Sequence, residues 1–376
     1  MTSSEPPPRS LRPANRLGLD YRAEASRLGP PPAPILDAHT HINGQRASEI
    51  YREVCDLYGV ERIWSMSALD QVKPVRKALG DRISFIAVPD FRSSDPHHAF
   101  TQGFLDHIRA FRDEGAEIVK FWTAPRARDI GRELGEPLLM DLENPWRQKA
   151  LELAEDLGMF YMAHIADPDT WFATKYADAE RYGTKREQYE PLERALERFR
   201  SPWILAHMGG WPEDLAFLSG LLERHDHVYL DASATKWMVR ELSKHPSERM
   251  IAFLKRWSGR VLFGSDIVTT DEHLSGDAGP RGMGHLASTE DEAFELYASR
   301  YWALRTLWES AYEGESNIAD PDLALVDPEK HDATSAPRLR GHRVPSDLLR
   351  TFYAGAADRL MGGWRDRSEA PGAAAR

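Results

Sequence analysis

The sequence predicts an α/β fold, a (β/α)8 TIM barrel with a Pro-rich N-terminal extension and an insertion after strand eight. Three observations carry this. Short apolar or β-branched runs recur along the 376 residues, each separated from the next by an amphipathic helical stretch. That alternation builds βα units and a parallel sheet. The runs number eight, from Pro34 to Phe263, and eight parallel strands point to a closed barrel rather than an open sheet. Four of the runs close on histidine or aspartate, on the face where a barrel gathers its reactive groups.

In order, the predicted strands are Pro34 to Ala38, Glu61 to Met66, Ile83 to Val88, Glu117 to Phe121, Met159 to Ala163, Trp203 to Ala206, Val228 to Asp231 and Arg260 to Phe263. After Ser48, the residues Ile50, Val54 and Leu57 share one helical face. Asn144 and Pro145 form an N-cap and first-turn pair, and Gly158 ends that helix. Leu215, Leu218, Leu221 and Leu222 make a stripe that reads as core packing.

Residues 1–33, rich in proline at their start and again from Gly29 to Pro34, read as a flexible extension before the barrel of residues 34–362. Two stretches break the rhythm. Asp167 to Glu190 holds Trp171, Phe172, Tyr176, Tyr182 and Tyr189. The insertion at 271–344 contains a Thr289–Glu292 capping box, then Phe294, Tyr297, Tyr301, Trp302, Leu307 and Trp308. Both follow a strand, so both are read either as lids or binding loops or as packing, in part against a second subunit of a homodimer. Ser346 caps a final barrel helix through Leu360, and residues 363–376 read as a disordered tail.

Composition excludes several classes. Hydrophobic residues make up 41% and charged residues 28%, as in ordinary globular proteins. A mean hydropathy of -0.53 and the lack of a long apolar run argue against a membrane-spanning helix. The net charge of -11 repels phosphate backbones, so nucleic acid is not an expected partner, and a small molecule is. The one cysteine, Cys55, cannot form an internal disulfide or a thiolate metal cluster, and it falls on the apolar side of a helix. With no apolar core for a secretory signal, the expected location is the cytoplasm.

The chemistry gathers at the strand ends. The first strand ends ILDAHTHI, where His39 and His41 at i, i+2 present both imidazoles to one face. Strand five ends at His164, strand six at His207 and strand eight at Asp266. Taken singly, His164 and His207 read as hydrogen-bonded core histidines and Asp266 as an N-cap. Five such residues at four strand ends converge on one small opening, and a metal satisfies them together. Asp37 precedes His39 by two and would touch a ligand histidine or cap the strand, and Asp231 at the end of strand seven reads similarly. Trp122, Arg126 and Arg128, with Arg281 and His285 further on, are candidate pocket residues.

The motifs DAHTHI, AHMGG followed by YLDASAT, and FGSD resemble the amidohydrolase superfamily. Within it the chain is similar to the amidohydrolase-related group, which includes mononuclear hydrolases, lactonases and decarboxylases related to aminocarboxymuconate semialdehyde decarboxylase. The resemblance covers Ile35 to Asp266 in order, plus the last helix. It implies that His39, His41, His164 and Asp266 ligate one divalent metal, zinc first, with manganese, iron or cobalt as alternatives. It implies that His207 orients or protonates the substrate and that Asp266 also shuttles the proton. The chemistry is consistent: such an ion acidifies water to a pKa of about 7, a carboxylate can carry the released proton, and a nearby histidine can steady an oxyanion.

Lys120, in the EIVKFW of strand four, has two readings. Binuclear relatives carry a carboxylated lysine here that bridges two metals, with His164 and His207 on the second ion. The other reading is a lysine paired with a carboxylate at the barrel rim, which AHMGG and DASAT favour. Strand four lacks the terminal glutamate of TatD-type nucleases. The expected activity is hydrolysis of a small cyclic or carboxylated substrate, a lactone, lactam or amide. Non-oxidative decarboxylation on the same site is the alternative, and a catalytically silent metal-containing binding protein is the third reading.

Overall fold

A computed structural model describes residues 12–275 and 286–368. Its main sheet comprises β1 (Ile35–Ile42), β2 (Val60–Ser65), β3 (Ile83–Ala87), β4 (Ile118–Trp122), β5 (Phe160–His164), β6 (Trp203–Leu205), β7 (Val228–Asp231), β8 (Val261–Leu262) and β9 (Ile267–Thr269). The order is β8-β7-β6-β5-β4-β3-β2-β1-β9, and every pairing is parallel. Helices cover the outside, as the sequence predicts for a (β/α)8 barrel.

The predicted eighth strand is split. Val261 and Leu262 pair with β7, whereas Ile267 to Thr269 pair with Thr40 to Ile42 of β1. Between them the chain bends through Phe263 to Asp266. Two backbone bonds close the barrel across the bend: the Ala38 N–H donates to the Phe263 carbonyl at 3.0 Å, and the Asp266 N–H to the His39 carbonyl at 2.8 Å. Gly264 is required there by close approach, since a Cβ would lie 2.9 Å from Ser233 Cβ and 3.1 Å from His39 Cβ.

The outer layer follows the amphipathic pattern. The helix Gln45–Tyr58 buries Ile50, Tyr51, Val54, Cys55 and Tyr58, and burial pushes the Cys55 thiol well up from its ordinary pKa. Asn144 caps the helix Pro145–Asp156 through the Trp146 N–H. Among the described residues, no helix is long and apolar enough to cross a membrane.

Two expectations change, and one of two open readings gains support. The extension expected to be flexible up to residue 33 contains the helix Tyr21–Leu28, whose first N–H groups are capped by Asp20. Tyr21 is buried, bonds the Ala14 carbonyl at 2.8 Å and accepts from Tyr58 through its own carbonyl at 2.9 Å, so aromatic burial fixes this segment to the barrel. Residues 1–11 lie outside the described residues.

In the late insertion, the helix Glu290–Glu309 buries Phe294, Tyr297, Tyr301, Trp302, Leu307 and Trp308 inside this chain, in line with the packing reading of these aromatics. Tyr301 stacks on Tyr51 and on Tyr58, with ring centroids 6.2 Å apart in each case. The insertion continues into an antiparallel pair, β10 (Glu313–Glu315) and β11 (Arg338–Arg340).

The last helix also runs further than expected. Ser346–Arg350 leads through a π turn at Thr351–Gly355 into Ala356–Ser368, so part of the presumed tail is helical. The Phe352 carbonyl in that wider turn accepts the Phe263 N–H at 3.2 Å, tying the strand-eight bend to the final helix. Residues 369–376 lie outside the described residues.

The long helix meets the strand layer at the Tyr301 hydroxyl. Tyr301 donates to Asp37 Oδ2 at 2.7 Å, and Asp37 is fully buried. Tyr301→Phe removes that donor from a buried carboxyl, and unfolding in urea should show a loss of about 1–3 kcal/mol. Unchanged stability would mean that the hydroxyl does not hold Asp37.

Candidate active site

The site starts from the tautomer of His39. Its ring is buried, and Nδ1 lies 2.8 Å from Asp231 Oδ2 at the end of β7. An ionised carboxylate only accepts, so Nδ1 carries the proton and Nε2 keeps its lone pair. Burial works against ionisation of Asp231, but the His39 contact outweighs it and holds the carboxyl below its usual range. Burial first, and then the Lys120 charge, lower the pKa of His39.

That Nε2 lies 3.4 Å from Asp266 Oδ1. His41 Nε2 is 3.2 Å from the same oxygen, and the His41 and Asp266 side chains are 36% and 29% exposed, so the cluster opens outward. The three ligand atoms lie within 4.8 Å of one another. Two imidazoles and a carboxylate with an open side suit a divalent ion. Burial tends to raise the pKa of Asp266, yet the hydrogen bond with His41 and the neighbouring His207 and His39 together outweigh it and keep the carboxyl ionised.

A second group, His39, His207 and Asp231, also brings its atoms within 4.8 Å, but those atoms are already engaged. Asp231 Oδ1 accepts the backbone N–H of His207 at 2.9 Å and of Ser233 at 3.1 Å, together with the Ser233 hydroxyl. Asp231 therefore orients the centre rather than ligating it.

The Ser233 proton decides the state of His207. Ser233 has one hydroxyl proton and gives it to Asp231, so its oxygen accepts from His207 Nδ1 at 2.8 Å. His207 Nε2 then carries a lone pair. Burial and the neighbouring His164 push its pKa well below the ordinary value, which keeps the ring neutral.

The backbone around these groups is unusual. His207, Met208, Ala234 and Asp266 all adopt positive φ, between 53° and 67°. Such conformations cost non-glycine residues on the order of 1–3 kcal/mol each and persist where the surroundings over-determine them. Here they turn the ends of strands six to eight inward.

The predicted residues separate on this geometry. His39, His41 and Asp266 come together, with His207 beside them at a ring distance of 4.7 Å from His39. His164 packs edge-on against His207 at 4.5 Å; its Nε2 bonds Asp167 Oδ1 at 2.8 Å, and its ring atoms do not join the His39, His41 and Asp266 group. Asp167 is in turn held by the Tyr176 hydroxyl at 2.7 Å.

Asp37 touches the backbone and not an imidazole. Its Oδ1 accepts from the N–H of His39 at 3.2 Å and of Ser265 at 3.0 Å, because the β1 register shifts between Asp37 and Thr40. Burial raises its pKa to about 7 against the pull of these donors. Lys120 makes no ion pair at the rim among the described residues. Its Nζ lies 3.5 Å from His39 Nε2, and burial lowers its pKa to about 8. Arg128 lines a separate cavity with Asp141 and Glu187. Arg281 and His285 lie outside the described residues.

Sequence reasoning missed Ser233, Asp167, Trp237, Lys236 and Arg300. The first two sit two and three residues past a named strand-end residue, a spacing that could have flagged them. Trp237 lies 5.5 Å from His207 and 6.2 Å from His164, ring to ring, and 5.1 Å from Trp171 of the aromatic loop.

Barrel enzymes that collect their reactive groups at the strand ends are the class this architecture defines. The amidohydrolase family model matches residues 100–314, more than half of the 376 residues, and the chain belongs to that family. It is thus a metal-dependent enzyme of the amidohydrolase superfamily. No curated protein matches the sequence. Among solved structures, the chain is similar to an amidohydrolase from Burkholderia multivorans with bound zinc, at 12% identity over 88% of this chain and 99% of that one, TM-score 0.44. It is also similar to 5-carboxyvanillate decarboxylase from Sphingomonas paucimobilis, at 11% identity over 87% and 98%, TM-score 0.42. The Novosphingobium aromaticivorans 5-carboxyvanillate decarboxylase, complexed with manganese, gives 10% identity over 90% and 97%, TM-score 0.43.

If Asp231 sets the His39 tautomer, Asp231→Asn should weaken metal affinity by about 10–100-fold while the fold survives. Competition with a chelator measures this. An affinity equal to the parent would remove Asp231 from the support of the centre.

Proposed function

We propose that this protein is a metal-dependent hydrolase of a small cyclic or carboxylated substrate, cleaving a lactone, lactam or amide bond. The observation that carries the reading is the approach of His39 Nε2 and His41 Nε2 to one oxygen of Asp266, at 3.4 and 3.2 Å. These three residues would hold one divalent ion, with zinc the first choice for two imidazoles and a carboxylate. When bound, the ion supplies Lewis acidity and lowers the pKa of a water upon it to about 7.

The rest belongs to the side chains. Asp266, kept ionised beside His41, is placed to take a proton and pass it to a leaving group. His39 is fixed in one tautomer by Asp231. His207, neutral and with Nε2 unprotonated, accepts a hydrogen bond from substrate or water. Trp237 stands beside the His207 ring and forms an apolar wall of the site.

Elemental analysis should find one equivalent of metal in the parent protein, lost in His39→Ala and retained in Lys120→Ala. Two equivalents that fall with Lys120 would make the centre binuclear, and no uptake after reconstitution would overturn the proposal. On a panel of lactones, amides and carboxylated aromatics, Asp266→Asn should lower kcat by at least about 100-fold. Release of CO2 without net addition of water would replace hydrolysis by decarboxylation, and metal binding without turnover on any of them would leave a silent binding protein.

A further inference from the structure

Beside Asp266 lies a cavity of about 730 Å3, including the part open to solvent, whose walls include Lys236, Trp237, Leu286, Leu296 and Arg300. Lys236 comes from the helix Thr235–Leu242 and Arg300 from the helix Glu290–Glu309. They are close enough for the Arg300 charge to act on Lys236.

Among the described residues, neither cation has a counter-charge at contact distance. Among the described residues no ion pair joins either head group to a carboxylate, Lys236 makes no hydrogen bond, and Arg300 reaches only Ser299 Oγ, at 3.2 Å. The acids whose field reaches Lys236, Asp320 and Asp322, are already engaged. Arg240 pairs with Asp320 and lies 3.4 Å from Asp322, which also accepts from Trp171 Nε1 at 2.6 Å and Lys175 at 3.1 Å.

Burial depresses both groups. It lowers Lys236 to about 8, with Arg300 adding to the effect, and Arg300 itself to about 10. Two like charges that face one cavity repel each other, and an anion between them relieves that repulsion. This local excess of positive charge occurs in a chain whose net charge is -11. Trp237 links the two regions, since it lines the cavity and also stands 5.5 Å from the His207 ring.

We propose that Lys236 and Arg300 form a carboxylate-binding subsite, so that the substrate is an organic anion held by its carboxylate there, packed along Trp237, with its reacting bond toward Asp266. The subsite rests on the reading of His39, His41 and Asp266 as the metal centre. It narrows the substrate to molecules that carry a carboxylate apart from the bond that is cleaved. The guanidinium supplies paired donors to the carboxylate and the ammonium a point charge.

The test is calorimetric binding and needs no turnover. Isophthalate and isophthalamide are titrated into parent, Lys236→Gln and Arg300→Gln proteins, each metal-loaded and metal-stripped. Isophthalate should bind the parent in both states and weaken at least about tenfold in each variant in both states, while the uncharged diamide shows no such dependence. Isophthalate affinity equal to the parent in variants that keep the parent unfolding midpoint overturns the subsite. If Arg300→Gln fails to fold, Lys236→Gln decides, because among the described residues Lys236 makes no hydrogen bond whose loss would disturb the fold. The two readings fail separately. Binding that disappears on stripping and ignores Lys236 sinks the subsite and keeps the centre, whereas Lys236-dependent binding in a protein that takes up no metal keeps the subsite and removes the centre.

Discussion

The bend that divides the eighth strand is the constraint on which the rest of the mouth depends. Its first half pairs with β7 and its second with β1, so the barrel closes only if the four residues between them turn sharply. The turn puts Asp266 into a left-handed conformation with its N–H on the His39 carbonyl. The same bond that shuts the barrel thereby sets the aspartate beside the two histidines of β1. Gly264 lets the bend press against His39 and Ser233, and Phe352 of the last helix holds it from outside. Closure of the fold and assembly of the site are one structural event.

Inside that frame a short hydrogen-bond network decides which atoms are available. Asp231 takes His39 with one oxygen, and Ser233 and the His207 backbone with the other. Because a carboxylate can only accept, every proton in the network has a determined place. His39 Nε2 and His207 Nε2 are left with lone pairs, and a fully satisfied buried network is rigid as well as stable. Asp37 does related work on the main chain, fixing the His39 and Ser265 N–H groups and anchoring the long helix through Tyr301.

Charge is arranged against the average of the molecule. The chain as a whole is acidic, while the cavity wall next to Asp266 is cationic and built from two helices far apart in sequence. Low-dielectric walls strengthen such a local field toward a small anion. The aromatic loop after β5 contributes Trp171, which packs edge-on against Trp237 and bonds Asp322, so the cationic wall and the histidine site share one apolar partition.

How much of this was legible follows from what each feature depends on. The βα alternation, the eight runs and the strand-end residues His39, His41, His207 and Asp266 were readable because periodicity and the direction of a strand are local properties. Cys55 and the Asn144–Pro145 helix start were readable for the same reason. The hydrogen-bond partners of His164 and Asp37 were not. His164 is claimed by Asp167, only three residues away but in a loop of undetermined path, and Asp37 is turned aside by a register shift that no residue of β1 announces. The N-terminal helix and the late aromatic helix looked like appendages because their partners, Tyr58 and Tyr51, lie in a distant segment. Arg300 had no signal, since a cavity-lining cation is defined by what surrounds it. The sequence by itself determined the barrel and which residue types stand at its strand ends. Only the tertiary structure decided which atoms carry protons, which carboxylate supports and which would ligate, because those follow from contacts between elements that the chain brings together last.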